Sequence, residues 1–186
     1  MIRGIIVGVV LSAAVLLFGG YFGVERGLIP ANADAKPSGI ETWAAKTSLR
    51  ATIARDAPKT PNPLPLDDAN LLAGVKLYGE NCIVCHGGAN GAASNIAMGL
   101  YQKPPQLGKH GVEDDPDGVT YWKVDHGIRL TGMPAFGQTL QERQLWQLTL
   151  FLKHMDHLSP AADKAWKALK SPAALAPARP EEAGSD

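Results

Sequence analysis

The sequence predicts an all-α protein with a single apolar helix at its N-terminus, and three observations carry that expectation. No stretch alternates apolar and polar residues for long enough to make a convincing strand. Apolar residues instead recur at helical intervals, at Leu71, Leu72, Val75 and Tyr78 and again at Leu145, Leu148, Leu152 and Met155. Aspartate, serine and threonine stand ahead of the helical runs at capping positions.

The first element follows Arg3. Gly4 to Val24 is a run of twenty-one uncharged residues, closed by Glu25-Arg26. At about 1.5 Å per residue the run reaches about 32 Å, enough to cross a hydrocarbon layer about 30 Å thick. It is long for a signal-peptide core of about 7–15 residues, which favours a retained anchor. Ala31-Asn32-Ala33 and Ala33-Asp34-Ala35 have the small-residue form of a cleavage site, so a cleaved signal stays open. On either reading Arg3 stays inside and the rest is exported. Gly4-x-x-x-Gly8 and Gly19-x-x-x-Gly23 put small residues on one face, where a second membrane helix could approach.

Residues 27–66 read as a stalk. Ser38-Gly39-Ile40-Glu41 has capping-box spacing, so a helix starts there and runs toward Asp56. Its apolar residues split between two sides, Ile40 and Trp43 on one, Leu49 and Ile53 on the other. Such a helix is expected to lie against something other than this domain's core, and Ile40 with Trp43 is its candidate clamp onto a larger membrane complex. Pro58, Pro61, Pro63 and Pro65 follow as an extended spacer. The domain proper is expected over residues 67–158. Asp67 or Asp68 caps a first helix that ends at Cys82; Asp117 or Gly118 to Ile128 forms a shorter one. Thr139-Leu140-Gln141-Glu142 opens the last helix as a second capping box. Residues 159–186, rich in Ala and Pro, are expected to be a mobile tail with a helical turn or two near Asp163–Lys170.

Composition excludes several classes. Hydrophobic residues make up 45% and charged residues 19%, too apolar for a disordered chain and too polar for a polytopic membrane protein. A net charge of zero removes any bulk argument for nucleic-acid binding. Locally the balance shifts, with ten acidic residues against seven basic between Asp67 and Asp156. Two cysteines are too few for a disulfide framework or a four-cysteine zinc site.

Those two cysteines form the strongest motif, Cys82-Ile83-Val84-Cys85-His86. Two thiols separated by two residues can reach the two vinyl groups on one edge of a haem, and the adjacent imidazole is then held under the iron. The rival readings are a thioredoxin-type dithiol, a local disulfide or half of a zinc site. A dithiol would want a strand before it and a helix after it, whereas here a helix comes first and Gly87-Gly88 follows. The second axial ligand is expected from Thr131-Gly132-Met133-Pro134-Ala135-Phe136-Gly137, a stiff loop offering a soft thioether that favours reduced iron. Met98 and Met155 look like packing residues, His110 and His126 are rival ligands, and His154 and His157 are expected in solvent at a helix end. Trp122 and Arg129 are candidates for propionate contacts, with haem-edge packing for the first and solvation for the second as the alternative. The acidic run Glu113, Asp114, Asp115 and Asp117 reads as a solvated turn or as half of a docking surface for a basic partner.

Gly74-x-x-x-Tyr78 ahead of Cys82-x-x-Cys85-His86-Gly87, then Met133-Pro134-Ala135-Phe136-Gly137 and a Leu/Trp/Phe-rich last helix, resembles class I c-type cytochromes over roughly Asp67 to Leu158. The resemblance implies an all-α class I cytochrome c fold whose first and last helices cross near the haem edge. It implies that Gly74 permits the crossing, that Tyr78 packs near Phe151 or Trp146, and that a carbonyl of the Pro104-Pro105 loop receives the His86 Nδ1–H. One haem c would be bound covalently by Cys82 and Cys85 and axially by His86 and Met133.

The function expected is single-electron transfer between redox proteins, with no enzymatic activity of its own, on the periplasmic or outer face of a membrane that the N-terminal helix spans once. The partner would be a membrane respiratory or dehydrogenase complex, served by a tethered shuttle or a fixed haem subunit. A haem enzyme or gas sensor with an open distal site is the alternative of a different class.

Overall fold

Eight α-helices and one short 3-10 turn make up the regular structure of residues 2–170, the part of the chain described by the computed structural model. They are α1 (Ile2–Glu25), α2 (Gly39–Asp56), α3 (Asp68–Asn81), α4 (Ile83–His86), α5 (Asn95–Gly99), α6 (Asp117–His126), α7 (Glu142–Lys153) and α8 (Pro160–Ala168), with the 3-10 turn at Phe136–Gln138. Among the described residues there is no strand, as the sequence predicts. The contacts divide the chain after Lys36. The unit before that point contains α1, which is long and apolar enough to cross a membrane. The unit after it holds every other helix, so it begins thirty residues before Asp67, where the sequence places the domain.

Helix starts follow their capping chemistry. Ser38 Oγ accepts the Glu41 amide at 3.2 Å to open α2. Asp67 caps α3 through Oδ1 and the Asn70 amide at 2.8 Å. The start of α7 differs from expectation by two residues: Gln141 is the N-cap and exchanges bonds with Gln144, so Thr139 stands outside. Thr139 instead closes the preceding 3-10 turn by donating to the Phe136 carbonyl at 3.3 Å.

The core sits where α3 crosses α7. A Cβ placed on Gly74 would lie 2.6 Å from Phe151 Cβ and would strike the Gln147 carbonyl, so only glycine lets the two backbones meet. Around this crossing Tyr78, Leu148, Thr149 and Phe151 are fully buried. Asn70, 2% exposed, ties the ends of both helices together. Its Nδ2 donates to the Pro65 carbonyl, while its Oδ1 accepts from Gln147 at 3.1 Å and Arg143 at 3.2 Å. At the other end of α7, Lys153 Nζ donates to the carbonyls of Val112, Glu113 and Asp115, fixing a loop expected to be a solvated turn.

Two expectations about the flanks are corrected. Residues from Pro160 to Ala168 are not a mobile tail: Ser159 caps α8, Ala162 is completely buried and Trp166 is 5% exposed. The Trp166 ring packs edge-on against Tyr78 at 5.1 Å and Phe151 at 5.4 Å, completing an aromatic triad whose third pair, Tyr78 and Phe151, lies at 5.5 Å. Trp146, the other partner considered for Tyr78, stacks on Tyr121 at 4.1 Å instead. The rest of the tail, residues 171–186, lies outside the described residues.

The stalk helix is the second correction. Its Leu49 and Ile53 side lies against this domain itself, where Ile53, Ala57 and Trp122 form a small cluster with Leu49 and Val119. The spacer beyond it is pinned too. Asn62 donates from its backbone to Asp117 Oδ2 at 2.8 Å and from Nδ2 to the Trp146 carbonyl at 2.9 Å. Ile40 and Trp43, at 78% and 65% exposure, lie on the other side of the helix.

Burial of Trp166 in the triad gives a direct test of α8. Trp166→Ala is expected to cost about 3–5 kcal/mol by lost transfer and cavity formation. Chemical denaturation of the haem-loaded protein measures it; a loose tail would give no change in midpoint.

Candidate functional site

A cavity of about 320 Å³ lies beside the α3–α7 crossing, and the side chains that the motif singled out meet in it. Cys82, Cys85, His86 and Met133 all line it. Its remaining wall is chiefly apolar, with Leu107, Val124, Phe136 and Leu152 among the contributors.

Local backbone geometry sets each of these groups. Cys82 is the C-cap of α3, and the chain turns at once into the single turn of α4, where the amides of Cys85 and His86 both bond the Cys82 carbonyl, at 3.1 and 2.9 Å. One turn of helix therefore puts both sulfurs and the imidazole on the same cavity. Gly87 then leaves the helix at φ +72°, a left-handed conformation that glycine adopts without strain. The Gly87 carbonyl accepts the buried Tyr78 hydroxyl at 2.7 Å, which joins the motif to the aromatic triad.

His86 is held from the far side of its ring. Nδ1 lies 2.9 Å from the Pro105 carbonyl oxygen, which assigns the proton to Nδ1 and leaves Nε2 as the free ring nitrogen. The resemblance implied this contact, and the geometry bears it out. Gln106 locks the same loop by donating from Nε2 to the carbonyls of Cys85 at 3.0 Å and Pro104 at 3.1 Å. The Leu107 amide adds a bond to the His86 carbonyl at 3.1 Å. Burial lowers the His86 pKa, and the Pro105 bond opposes that shift without reversing it. The imidazole is thus neutral, the form in which it can ligate iron.

Met133 comes from a loop that is bonded to itself. Its amide donates to Thr131 Oγ1 at 3.1 Å, Thr131 Oγ1 donates to the Ile128 carbonyl at 2.7 Å, and the Ile128 amide bonds the Met133 carbonyl at 3.2 Å. Gly127, at φ +65°, lies so close beneath that a Cβ there would sit 2.6 Å from the Met133 carbonyl oxygen. The loop leaves Leu130 at φ +61° and 89% exposed.

The rival residues lie elsewhere. His110 and His126 are exposed and do not line the cavity; His126 stacks on Trp122 at 4.8 Å. His154, expected in solvent, is half-buried with Nδ1 2.8 Å from the Leu150 carbonyl, while His157 is exposed as expected. Met155 packs against the core, as expected, but Met98 does not: it is 51% exposed. Trp122 packs on α2 rather than on the cavity, and Arg129 is exposed. Among the described residues no group of three His, Cys, Asp or Glu side chains gathers to hold a bare metal ion, so the zinc reading finds no ligand set. Acidity does not favour the dithiol reading. Burial, with the neighbouring Cys85 thiol adding to it, pushes the Cys82 thiol up to about 12, whereas thiol exchange wants a lowered value.

The residues present fit a covalently attached haem. Two thiols free of any disulfide, a neutral imidazole with one committed nitrogen and a thioether share one chiefly apolar cavity. Sequence reading missed Gln106, Tyr78 Oη and Leu49, all of which build or line the cavity. Gln106 and Leu49 carried no motif, and Tyr78 was read for its ring alone.

Residues 69–152 match the family model described as cytochrome C oxidase, cbb3-type, subunit III. That segment runs from the first turn of α3 to the last turn of α7, leaving α1, α2 and α8 outside it. No curated protein and no solved structure matches the chain.

The Tyr78 hydroxyl supplies a prediction about this scaffold. Tyr78→Phe leaves the Gly87 carbonyl without its partner and should cost about 1–3 kcal/mol. Denaturant titration of the haem-loaded protein reads the loss, and haem attachment itself should survive.

Proposed function

Because residues 69–152 form a c-type cytochrome domain, whose prosthetic group is covalently bound haem c, we propose that this chain is a membrane-tethered, mono-haem electron carrier. In this reading Cys82 and Cys85 hold the haem as thioethers, and His86 and Met133 are the axial ligands of its iron. The observation that carries it is the meeting of these four side chains in one apolar cavity.

When bound, haem c supplies a one-electron iron couple. The chain's own residues set how that couple behaves. The Pro105 carbonyl fixes the His86 ring and increases its donor strength by taking the Nδ1–H. The Met133 thioether, a soft donor on a self-bonded loop, favours the reduced iron and raises the potential. Leu107, Val124, Phe136 and Leu152 exclude water from the cavity, which disfavours the more highly charged oxidised form. Holding both ligands on stiffened segments keeps the site from rearranging when its charge changes. Such a site suits repeated electron transfer better than substrate chemistry, which would need an open coordination position.

Helix α1 is the tether, a single span with the haem domain on the periplasmic or outer side. The matched family is named for a subunit of a respiratory oxidase, which supports a membrane respiratory complex as the redox partner. Leu130 stands exposed on the Met133 loop, offering an apolar contact to that partner.

Two measurements test this reading. Denaturing gels stained for haem should show a band at the mass of the chain that is lost when Cys82→Ala and Cys85→Ala are combined. A stained band in the double variant contradicts the thioether assignment. The oxidised protein should carry the near-infrared sulfur-to-iron band, absent in Met133→Ala and retained in Met98→Leu and Met155→Leu. Loss of the band in Met98→Leu with its retention in Met133→Ala would move the axial ligand.

A further inference from the structure

Helix α2 lies outside the segment that matches the cytochrome family, yet it contributes a side chain to the haem cavity. Leu49, two turns from its C-terminal end, lines the same cavity as Cys82, His86 and Met133. We infer that α2 is a wall of the haem site, with Leu49 shielding the haem from water, an inference that rests on the haem reading above.

The helix is fastened on both sides of Leu49. Toward its start, Glu41 Oε1 accepts the Tyr101 hydroxyl at 2.6 Å. Tyr101 sits between Leu100 and Gln102, both cavity-lining, on the loop that continues to the Pro105 carbonyl behind His86. Toward its end, Ile53 and Ala57 pack on Trp122 of α6, the helix that contributes Thr120, Lys123 and Val124 to the cavity. The helix therefore spans from the proximal loop to α6, and Leu49 lies on the cavity between the two fastenings. The following segment cannot swing freely. Pro58 presses against Gly118 so closely that a Cβ there would lie 2.7 Å from the Pro58 carbonyl carbon, and Asn62 is bonded to α6 and α7.

The two fastenings differ in strength. Ile53 is 8% exposed and Ala57 4%, so the C-terminal end is held by buried packing. The Glu41–Tyr101 bond is exposed, and Ile40 and Trp43 beside it are exposed as well. Opening, where it occurs, starts at the N-terminal end and uncovers Leu49. Removing water from beside the haem disfavours the oxidised state, so Leu49 acts as a positioning residue that raises the potential without touching the iron.

The experiment uses the full chain, haem-loaded, in mild detergent. In Leu49→Ser the reduced-to-oxidised ratio at fixed ambient potential should fall about threefold, equal to about 28 mV at 59 mV per tenfold. The near-infrared band should remain, showing that Met133 ligation is intact. Tyr101→Phe keeps the ring and removes the bond to Glu41; it should raise the rate of oxidation by ferricyanide about twofold or more, the factor a single hydrogen bond is worth. Trp43→Ala, on the outward side of α2, should change neither readout. An unchanged potential in haem-loaded Leu49→Ser, or an unchanged rate in Tyr101→Phe, overturns the inference. If Leu49→Ser fails to load haem, Tyr101→Phe decides alone. A wild-type chain with no haem-staining band would instead overturn the haem reading itself.

Discussion

Gly74 is where two helix backbones touch, and the places of Cys82, Cys85 and His86 in the cavity follow from that contact. With α3 and α7 this close, the C-terminal end of α3 is fixed against the side chains of α7. Cys82 is the C-cap of α3, so its place is decided by the crossing, and Cys85 and His86 follow within one turn. Tyr78 extends the constraint by bonding the Gly87 carbonyl at the exit of that turn. The crossing thus sets the proximal half of the site before any ligand is considered. On the other half, the 127–134 loop is held by its own hydrogen bonds and by contact with Gly127. A rigid frame of this kind allows an iron centre to change charge by one unit with little movement of its ligands.

Two helices outside the family-matched segment finish the structure in different ways. Helix α8 adds Trp166 to the core at the crossing and so reinforces the element on which the site depends. Helix α2 adds Leu49 to the cavity wall and so acts on the site itself. Both are placed by aromatic or aliphatic side chains that meet large rings, Trp166 on Tyr78 and Ile53 on Trp122. Each such ring buries enough area to hold a short helix that would be marginal alone. The chain between the apolar α1 and the domain is therefore shorter than the prolines suggest, because the last three-quarters of residues 27–66 is part of the same compact unit as the domain.

The motif and the helical class were legible in the sequence because each rests on local spacing, and the crossing was implied by the family resemblance that those residues carry. Cys82-x-x-Cys85-His86, the Gly74–Tyr78 interval and the leucines of α7 are patterns within one or two turns. The docking of α2 was not legible. Ile40 and Trp43 outweigh Leu49 and Ile53 in the pattern, but only the tertiary partner Trp122, seventy residues away, shows which side is buried. The Ala/Pro composition around α8 hid a well-made helix, with Ser159 as its cap and a proline in its first turn, where proline is favoured. Met98 was misplaced for the opposite reason: nothing in its neighbourhood marks it as exposed. Gln106 carried no signal because a single glutamine in a loop has none, although it holds the Cys85 and Pro104 carbonyls together.

Axial ligation by His86 and Met133 is the claim on which the electron-carrier reading turns, and the methionine methyl groups report on it directly. The chain has four methionines. In proton–carbon NMR of the reduced, haem-loaded protein with methyl-labelled methionine, a thioether bound to the iron places its methyl over the haem ring and moves that resonance far upfield. One shifted methyl resonance, absent in Met133→Leu and present in Met98→Leu and Met155→Leu, is the expected result. Methionine methyls that all remain in the ordinary range, or a shifted one that survives Met133→Leu, would contradict it.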